Sequence, residues 1–189
     1  MACSTLTTGI NFNECATSIG GIKEVYLANA ADVDTENFTI DADGMITNIT
    51  FVPSDPDDPT SPPNHKFFKF GFRKNTGSMT STLNVDDNTG ASVSTDLVMD
   101  WREMNTEKRK AMSAFLQGEF VAIVLDANKR YWFLGYNLSI TASAGTGETG
   151  TANTDANHYT ITLNDVSADW PHEIKTGTGG VNIQSLLES

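Results

Sequence analysis

The feature that most constrains the fold is a two-residue alternation of apolar and polar side chains over residues 78–101. The alternation runs on both sides of a turn sequence, DNTG, at 87–90. Successive side chains of a strand point to opposite faces, so this pattern predicts a long β-hairpin with one buried face. The apolar face of its return arm is formed by Val93, Thr95, Leu97, Met99 and Trp101.

Other segments extend the β pattern along most of the chain. Strands are predicted at 22–29, 45–52, 66–74, 119–126, 130–142 and 158–166. In the first of them, Ile22 and Tyr26 are expected to share a face. Segment 119–126 is almost entirely apolar, which is typical of a central strand buried on both faces. The Gly- and Thr-rich stretch 144–157 predicts a turn or flexible tip, which gives a second long hairpin.

One segment has helical periodicity instead. Residues 106–117 predict an α-helix that Asn105 or Thr106 caps and that Gly118 ends. Four apolar residues recur on one face of this helix, and they are predicted to pack against the sheet rather than to bind a cofactor. These helix-packing residues are Ala111, Met112, Phe115 and Leu116.

Together these elements fit one domain of the mainly β class. A chain of 189 residues is long enough for one hydrophobic core. About seven to nine strands and one flanking helix predict a β-sandwich or a small closed barrel. The domain is predicted to span 22–175, between an N-terminal arm at 1–21 and a C-terminal tail at 176–189. Within it, 53–64 holds five of the six prolines and is predicted to be an exposed loop.

The charge balance is strongly acidic. There are 24 Asp and Glu against 12 Lys and Arg, for a net charge of -12. Such a surface repels nucleic-acid phosphates, so it indicates either simple solubility or a surface that DNA passes without adhering. Cys3 and Cys15 allow one disulfide or two free thiols. Neither a signal peptide nor a membrane-spanning segment is predicted.

A search for catalytic motifs favours a protein without enzymatic activity. The Gly-rich stretches lack the strand–loop–helix context of a phosphate-binding loop, and the nucleophile-elbow pattern is absent from the sequence. The acidic run 32–36 alternates carboxylates as calcium sites do, but without the Gly and terminal Glu of an EF-hand loop. None of the histidines has metal-ligand spacing; they are His65, His158 and His172. We therefore expect no metal and no cofactor.

The order of the predicted elements resembles that of the tail tube (major tail) proteins of long-tailed bacteriophages. The hairpin 78–101 leads into the helix 106–117 and the buried strand 119–126, and a second hairpin with arms at 131–140 and 159–163 follows. The local sequences GGIKEVYLAN, YWFLGYN and DANHYTITLND also resemble this family. The Pro-rich loop 53–64 and the Cys-bearing N-terminus depart from it. They leave open another tail ring protein, such as a terminator, or a subunit of a contractile injection tube.

The resemblance implies a structural virion subunit. In this family, two long hairpins from each of six subunits join into one barrel, and the rings stack into a tube that conducts DNA. A barrel of that size encloses water, so its channel face should be polar. The lumen-facing candidates are Thr80, Thr82, Asn84, Asp86, Ser92, Ser94 and Asp96. The implied partners are other copies of the chain, other tail proteins and DNA that passes without specific binding. The implied location is the virion tail, assembled in the host cytoplasm, with no membrane partner.

Two other classes of protein compete with this interpretation. A secreted carbohydrate-binding or adhesin β-sandwich would be monomeric and would expose an aromatic platform. Trp170, which precedes Pro171, is the tryptophan expected to be exposed, whereas Trp101 and Trp132 are expected in the core. A small hydrolase would need a deep pocket with perturbed carboxylates. The 24 acidic residues could supply a pair of catalytic carboxylates, but nothing in the sequence places two of them across a cleft.

Overall fold

The computed structural model describes most of the chain, and the described part is mainly β, as predicted. Its residues are 9–10, 18–55, 57–58, 60–61, 63, 65–72, 76–86 and 90–188. Over these residues the strands form two separate sheets and do not close into a barrel. Cys3, Cys15 and residues 87–89 of the predicted turn 87–90 lie outside the described residues. Within the described part, no helix is long and apolar enough to cross a membrane.

The strands divide into one large and one small sheet. They are β1 (Ile22–Asn29), β2 (Thr39–Ile40), β3 (Ile46–Asn48), β4 (Phe68–Gly71), β5 (Ser78–Asp86), β6 (Gly90–Arg102), β7 (Phe120–Asp126), β8 (Tyr131–Leu134), β9 (Thr141–Glu148), β10 (His158–Ser167) and β11 (His172–Ile174). The helices are α1 (Thr106–Phe115) and α2 (Ile183–Leu186), with 3-10 turns at Ala30–Asp32 and Thr35–Asn37. The larger sheet has the order β2-β3-β11-β8-β7-β1-β4, and the smaller sheet has the order β5-β6-β10-β9.

Two hydrophobic cores lie on opposite faces of the larger sheet. The first core fills the space between the two sheets, where Leu97 and Leu163 of the smaller sheet meet Val124 of the larger one. The second core covers the other face of the larger sheet. Its buried members include Val33, Ile46, Phe67, Ile123, Phe133, Ile174, Val181, Ile183 and Leu186. The larger sheet is therefore the middle layer of the molecule.

Strands β1 and β7 are central because both of their faces are apolar. The predicted buried strand 119–126 is confirmed as β7, and the predicted strand 22–29 is confirmed as β1. Within β1, however, the expected shared face of Ile22 and Tyr26 is wrong. Ile22 packs in the first core and Tyr26 in the second. A register shift in the pairing with β7, between Ile22 and Glu24, interrupts the two-residue alternation.

Helix α1 closes one side of the first core. Asn105 caps it, since its Oδ1 accepts a hydrogen bond from the Lys108 backbone N at 2.9 Å. Phe115 is buried, and Ala111 and Met112 pack against the core as predicted. The prediction for Leu116 is wrong, because this side chain is 79% exposed. The helix ends at Phe115, and Leu116 is rotated by about 100° from it, away from the core.

The predicted long strand 130–142 is also wrong. It divides into β8, which ends in the larger sheet, and β9, which begins in the smaller one. Gly135 lies at the division with φ of 87°, a left-handed conformation that side chains disfavour. The predicted turn or flexible tip 144–157 therefore contains more than half of the edge strand β9. The second hairpin is formed by β9 and β10 rather than by 131–140 and 159–163.

Three other segments differ in extent from their predictions. The predicted strand 45–52 is reduced to β3. Of the predicted strand 66–74, the described residues are 66–72, and among them β4 is the part that forms a strand. The predicted C-terminal tail is part of the packed domain, since Val181, Ile183 and Leu186 are buried in the second core. The described residues of the Pro-rich loop are largely exposed.

Candidate interaction face of the four-stranded sheet

The register of β5 and β6 brings the predicted polar residues together on one face. Thr80 pairs with Asp96, and the next pairs on the same face are Thr82 with Ser94 and Asn84 with Ser92. Directly paired residues of an antiparallel sheet point to the same side, so these six residues share a face with Asp86. Their common orientation is confirmed. We call this surface, with its continuation on β10 and β9, the polar face.

The polar face extends across the other two strands, which the sequence analysis did not include. Asn164 of β10 pairs with Asp96, and Thr160 pairs with Asp100 on one side and Thr146 on the other. The signal was present in the sequence, because Thr160, Thr162 and Asn164 alternate with the apolar residues of the same strand. The result is a four-strand surface made mainly of Thr, Ser, Asn and Asp.

Side-chain hydrogen bonds link the strands across the polar face. The Asn164 Nδ2 donates to the Ser94 Oγ at 2.9 Å and to the Asp96 Oδ1 at 2.8 Å. Hydrogen bonds of this kind fix the side chains of neighbouring strands relative to each other. The middle of the face is therefore an ordered polar surface.

An acidic and histidine cluster occupies one end of the polar face. The Asp100 Oδ2 lies 2.5 Å from the His158 Nδ1 and accepts a hydrogen bond from the Thr160 Oγ1 at 3.0 Å. The His158 Nε2 lies 3.8 Å from the Glu148 Oε2. In a hydrolytic triad, a nucleophilic hydroxyl or thiol would occupy the position that Glu148 takes. Because a carboxylate stands there instead, the cluster is a row of polar side-chain contacts across β6, β10 and β9.

A buried carboxylate anchors the opposite face of the same sheet. Asp165 is 4% exposed, and its Oδ2 accepts a hydrogen bond from the Gly135 backbone N at 3.2 Å. The Oδ1 has no hydrogen-bond partner among the described residues. Burial raises the pKa of Asp165, and the hydrogen bond from Gly135 opposes part of this effect. Asp165 therefore ties β10 to the point where the chain changes sheets.

Both edges of the smaller sheet are long. Its edge strands are β5, with nine residues, and β9, with eight. Neither edge is paired with a further strand within the described part of the chain. An open edge presents backbone N–H and C=O groups that another strand can pair with. The smaller sheet can therefore be extended from both sides.

The three tryptophans differ in exposure. Trp170 is 52% exposed, as predicted. Trp101 is buried, and Trp132 packs partly buried against the first core, also as predicted. Among the described residues, no group of three or more His, Cys, Asp or Glu side chains is arranged to hold a metal ion.

Comparisons with known proteins identify no similar protein, and the functional argument therefore rests on the geometry. No protein-family model matches the chain, and no curated protein and no solved structure is significantly similar to it. The two observations that bear most on function are the polar face and the two open edges of the sheet that carries it.

Proposed function

We propose that this protein is a structural subunit that assembles into stacked rings, comparable to the tail tube of a long-tailed bacteriophage, and that its smaller sheet lines a DNA-conducting channel. The observation that carries the proposal is one sheet with an apolar face on the core, a polar face to the outside and two open edges. Four strands from each of six subunits would then form one barrel wall.

The open edges supply the contacts between subunits. In a ring, β5 of one subunit would pair with β9 of the next, and the backbone groups of both edges would be satisfied. The contact joins two different surfaces, so it repeats around the ring until the ring closes. The larger sheet has no role in the barrel wall and forms the outer layer.

The polar face supplies the channel lining. Its Thr, Ser and Asn side chains are small and hydrated, and Asp86 and Asp96 add negative charge. With the net charge of -12, these carboxylates repel the phosphates of DNA. A duplex could then slide through the channel without binding to its wall.

Electron microscopy and mass photometry of the purified protein at rising concentration test the assembly. Rings or tubes with a central channel are expected, and salt should promote them because it screens the repulsion between acidic subunits. A protein that stays monomeric at every concentration and ionic strength would contradict the proposal. Rings that never stack would favour a terminator-like ring protein over a tube subunit.

An edge variant tests which surface forms the ring. Thr146→Lys adds a charge to the exposed edge strand β9 and should block strand pairing between subunits while the monomer remains folded. Thr178→Lys makes the same change in an exposed turn and should assemble normally. Equal assembly of both variants would exclude the β9 edge from the interface.

A charge reversal tests the channel lining. Replacing Asp86 and Asp96 with Lys should leave the fold intact but impede DNA passage, since Lys binds phosphates. The measurement is DNA delivery by virions that carry the double variant. Normal delivery would count against the lumen assignment.

A further inference from the structure

A hydrophobic tip projects from the smaller sheet. Leu83 and Val85 of β5 are 52% and 74% exposed. They lie on the same side of the sheet as the buried Leu97, because Leu83 pairs with Val93, and Met79, four residues earlier on β5, pairs with Leu97. The hairpin of β5 and β6 therefore extends past the first core, and its apolar side is left open there. We call Leu83 and Val85 the tip.

An apolar groove lies between α1 and the edge strand β9. It has a volume of about 370 Å³, and its lining includes Met112, Ala142, Tyr159 and Ile161. Leu116, which is 79% exposed, also lines it. The exposure of Leu116 is costly for an isolated subunit, because apolar surface in water is unfavourable. We call this surface the groove.

The tip and the groove also have complementary charge. Arg109 lines the groove, and no carboxylate lies within salt-bridge distance of it among the described residues. Lys110 follows Arg109 on the same helix, and Asp86 follows the tip at the end of β5. A contact between the two surfaces would therefore combine apolar burial with attraction between opposite charges.

The two surfaces are too far apart to meet within one molecule. Tyr159, which lines the groove, pairs with Trp101, whereas the tip residue Leu83 pairs with Val93. At roughly 3.3 Å per residue, Val93 and Trp101 are about 26 Å apart along β6. The tip lies at one edge of the sheet and the groove at the other. Each copy thus offers both halves of a contact that only a second copy can complete.

We propose that the tip of one copy docks into the groove of a second copy. The inference rests on the proposed function, in which the second copy is the next subunit of the assembly. The contact joins different surfaces, so it can repeat from subunit to subunit. Strands in a closed barrel are tilted and staggered, and this offsets successive subunits along the strand direction. The tip of one subunit can then reach the far end of its neighbour's sheet.

Cross-linking between two singly substituted proteins tests the contact. In the 189-residue chain with Cys3→Ser and Cys15→Ser, one protein carries Val85→Cys and the other carries Leu116→Cys. A short bis-maleimide should join them into a heterodimer on a denaturing gel. Val52→Cys, at an exposed aliphatic residue outside both surfaces, is the control partner for Val85→Cys. Equal cross-linking of the control pair, or none of the Leu116 pair, would overturn the proposal.

A self-association measurement provides a second readout. Leu83→Asp with Val85→Asp should weaken self-association at least about tenfold in sedimentation velocity, because two apolar anchors are lost. Val52→Asp should leave it unchanged. Both variants change exposed side chains, so each should unfold at the wild-type denaturant concentration. Wild-type association of the tip variant would overturn the proposal.

The results also separate this inference from the proposed function. Rings or tubes that form without the Val85–Leu116 cross-link would overturn the docking contact and leave the ring proposal standing. A specific cross-link in small oligomers that never form rings would support the contact and overturn the ring. A monomer without cross-links at any concentration would overturn both.

Discussion

The two sheets share one core but differ in how their outer faces and edges are covered. The larger sheet has apolar packing on both faces, and its edge strands are short, with two residues in β2 and four in β4. The smaller sheet is packed on one face only, and its edge strands have nine and eight residues. The larger sheet is therefore enclosed in the fold, whereas the smaller one leaves a polar face and two long edges uncovered among the described residues.

The largest loss of stability is expected when a core residue of the larger sheet is replaced. Phe133 is 1% exposed and packs edge-to-face on Phe38, with ring centroids 5.1 Å apart. Phe133→Ala should lower the free energy of unfolding by about 3–5 kcal/mol. Thr82→Ala on the polar face should change it by less than about 0.5 kcal/mol. Urea unfolding measures both, and similar losses would remove the distinction between the sheets.

A smaller effect is expected where the chain passes from one sheet to the other. Gly135 has φ of 87°, and an added Cβ would lie 3.1 Å from a Val121 methyl carbon and 3.2 Å from the Phe120 carbonyl oxygen. Gly135→Ala should cost about 1–3 kcal/mol through backbone strain and crowding. Gly44→Ala has a similar φ of 81° but open space around the Cβ, so it isolates the backbone cost. Equal losses of stability in the two variants would show that the residues around Gly135 can move to accommodate the added Cβ.

Asp165 should give the smaller sheet a pH-dependent stability. Burial raises the pKa of its carboxyl, so the folded state holds the proton more tightly than the unfolded state does. The resulting stability is present below the ordinary pKa of 3.8 and is lost as the pH rises through the raised folded-state value. Asp165→Asn should therefore gain stability relative to wild type as the pH rises. Urea unfolding across the acid range measures this trend.

The exposed Asp169→Asn variant is the control for the loss of a carboxylate elsewhere on the chain. If the free energies of unfolding of Asp165→Asn and wild type differ by the same amount at every pH, Asp165 does not titrate in the folded state over this range.

The smallest effect is expected within the polar face. Asn164→Ala removes the hydrogen bonds to Ser94 and Asp96 and should cost about 0.5–1.5 kcal/mol, because water replaces exposed hydrogen bonds at little cost. Thr162→Ala, on the same strand and face, should cost less. A loss as large as that of Phe133→Ala would show that the polar face contributes to the fold as strongly as the core.

The sequence predicted best where one local pattern decides the structure. The apolar run of β7 and the alternation of β5 and β6 each indicate both the element and its buried side, so seven polar residues could be assigned to one face. The polar residues of β10 were not predicted to join this face, because β10 was identified from its apolar residues alone.

The remaining features depend on contacts between distant residues. The alternation through 130–142 continues past Gly135, and only the packing of Val121 and Asp165 around this glycine shows that the chain leaves one sheet there. Leu116 fits the helical pattern, but the helix ends one residue earlier. The short apolar sequence 181–187 has no clear period, and its place in the second core depends on Phe67.

The pairing of Phe67 with residues 186–188 affects how the protein folds while it is being synthesised. The Phe67 backbone N donates to the Leu186 carbonyl at 2.8 Å, and the Glu188 N donates to the Phe67 carbonyl at 3.1 Å. During translation, the second core stays incomplete until residues 181–187 have left the ribosome, whereas the hairpin of β5 and β6 can form from local contacts much earlier. Nascent chains cut short before residue 181 would expose apolar surface to chaperones and proteases. Only chains translated through residues 181–187 would then enter the pool of mature protein.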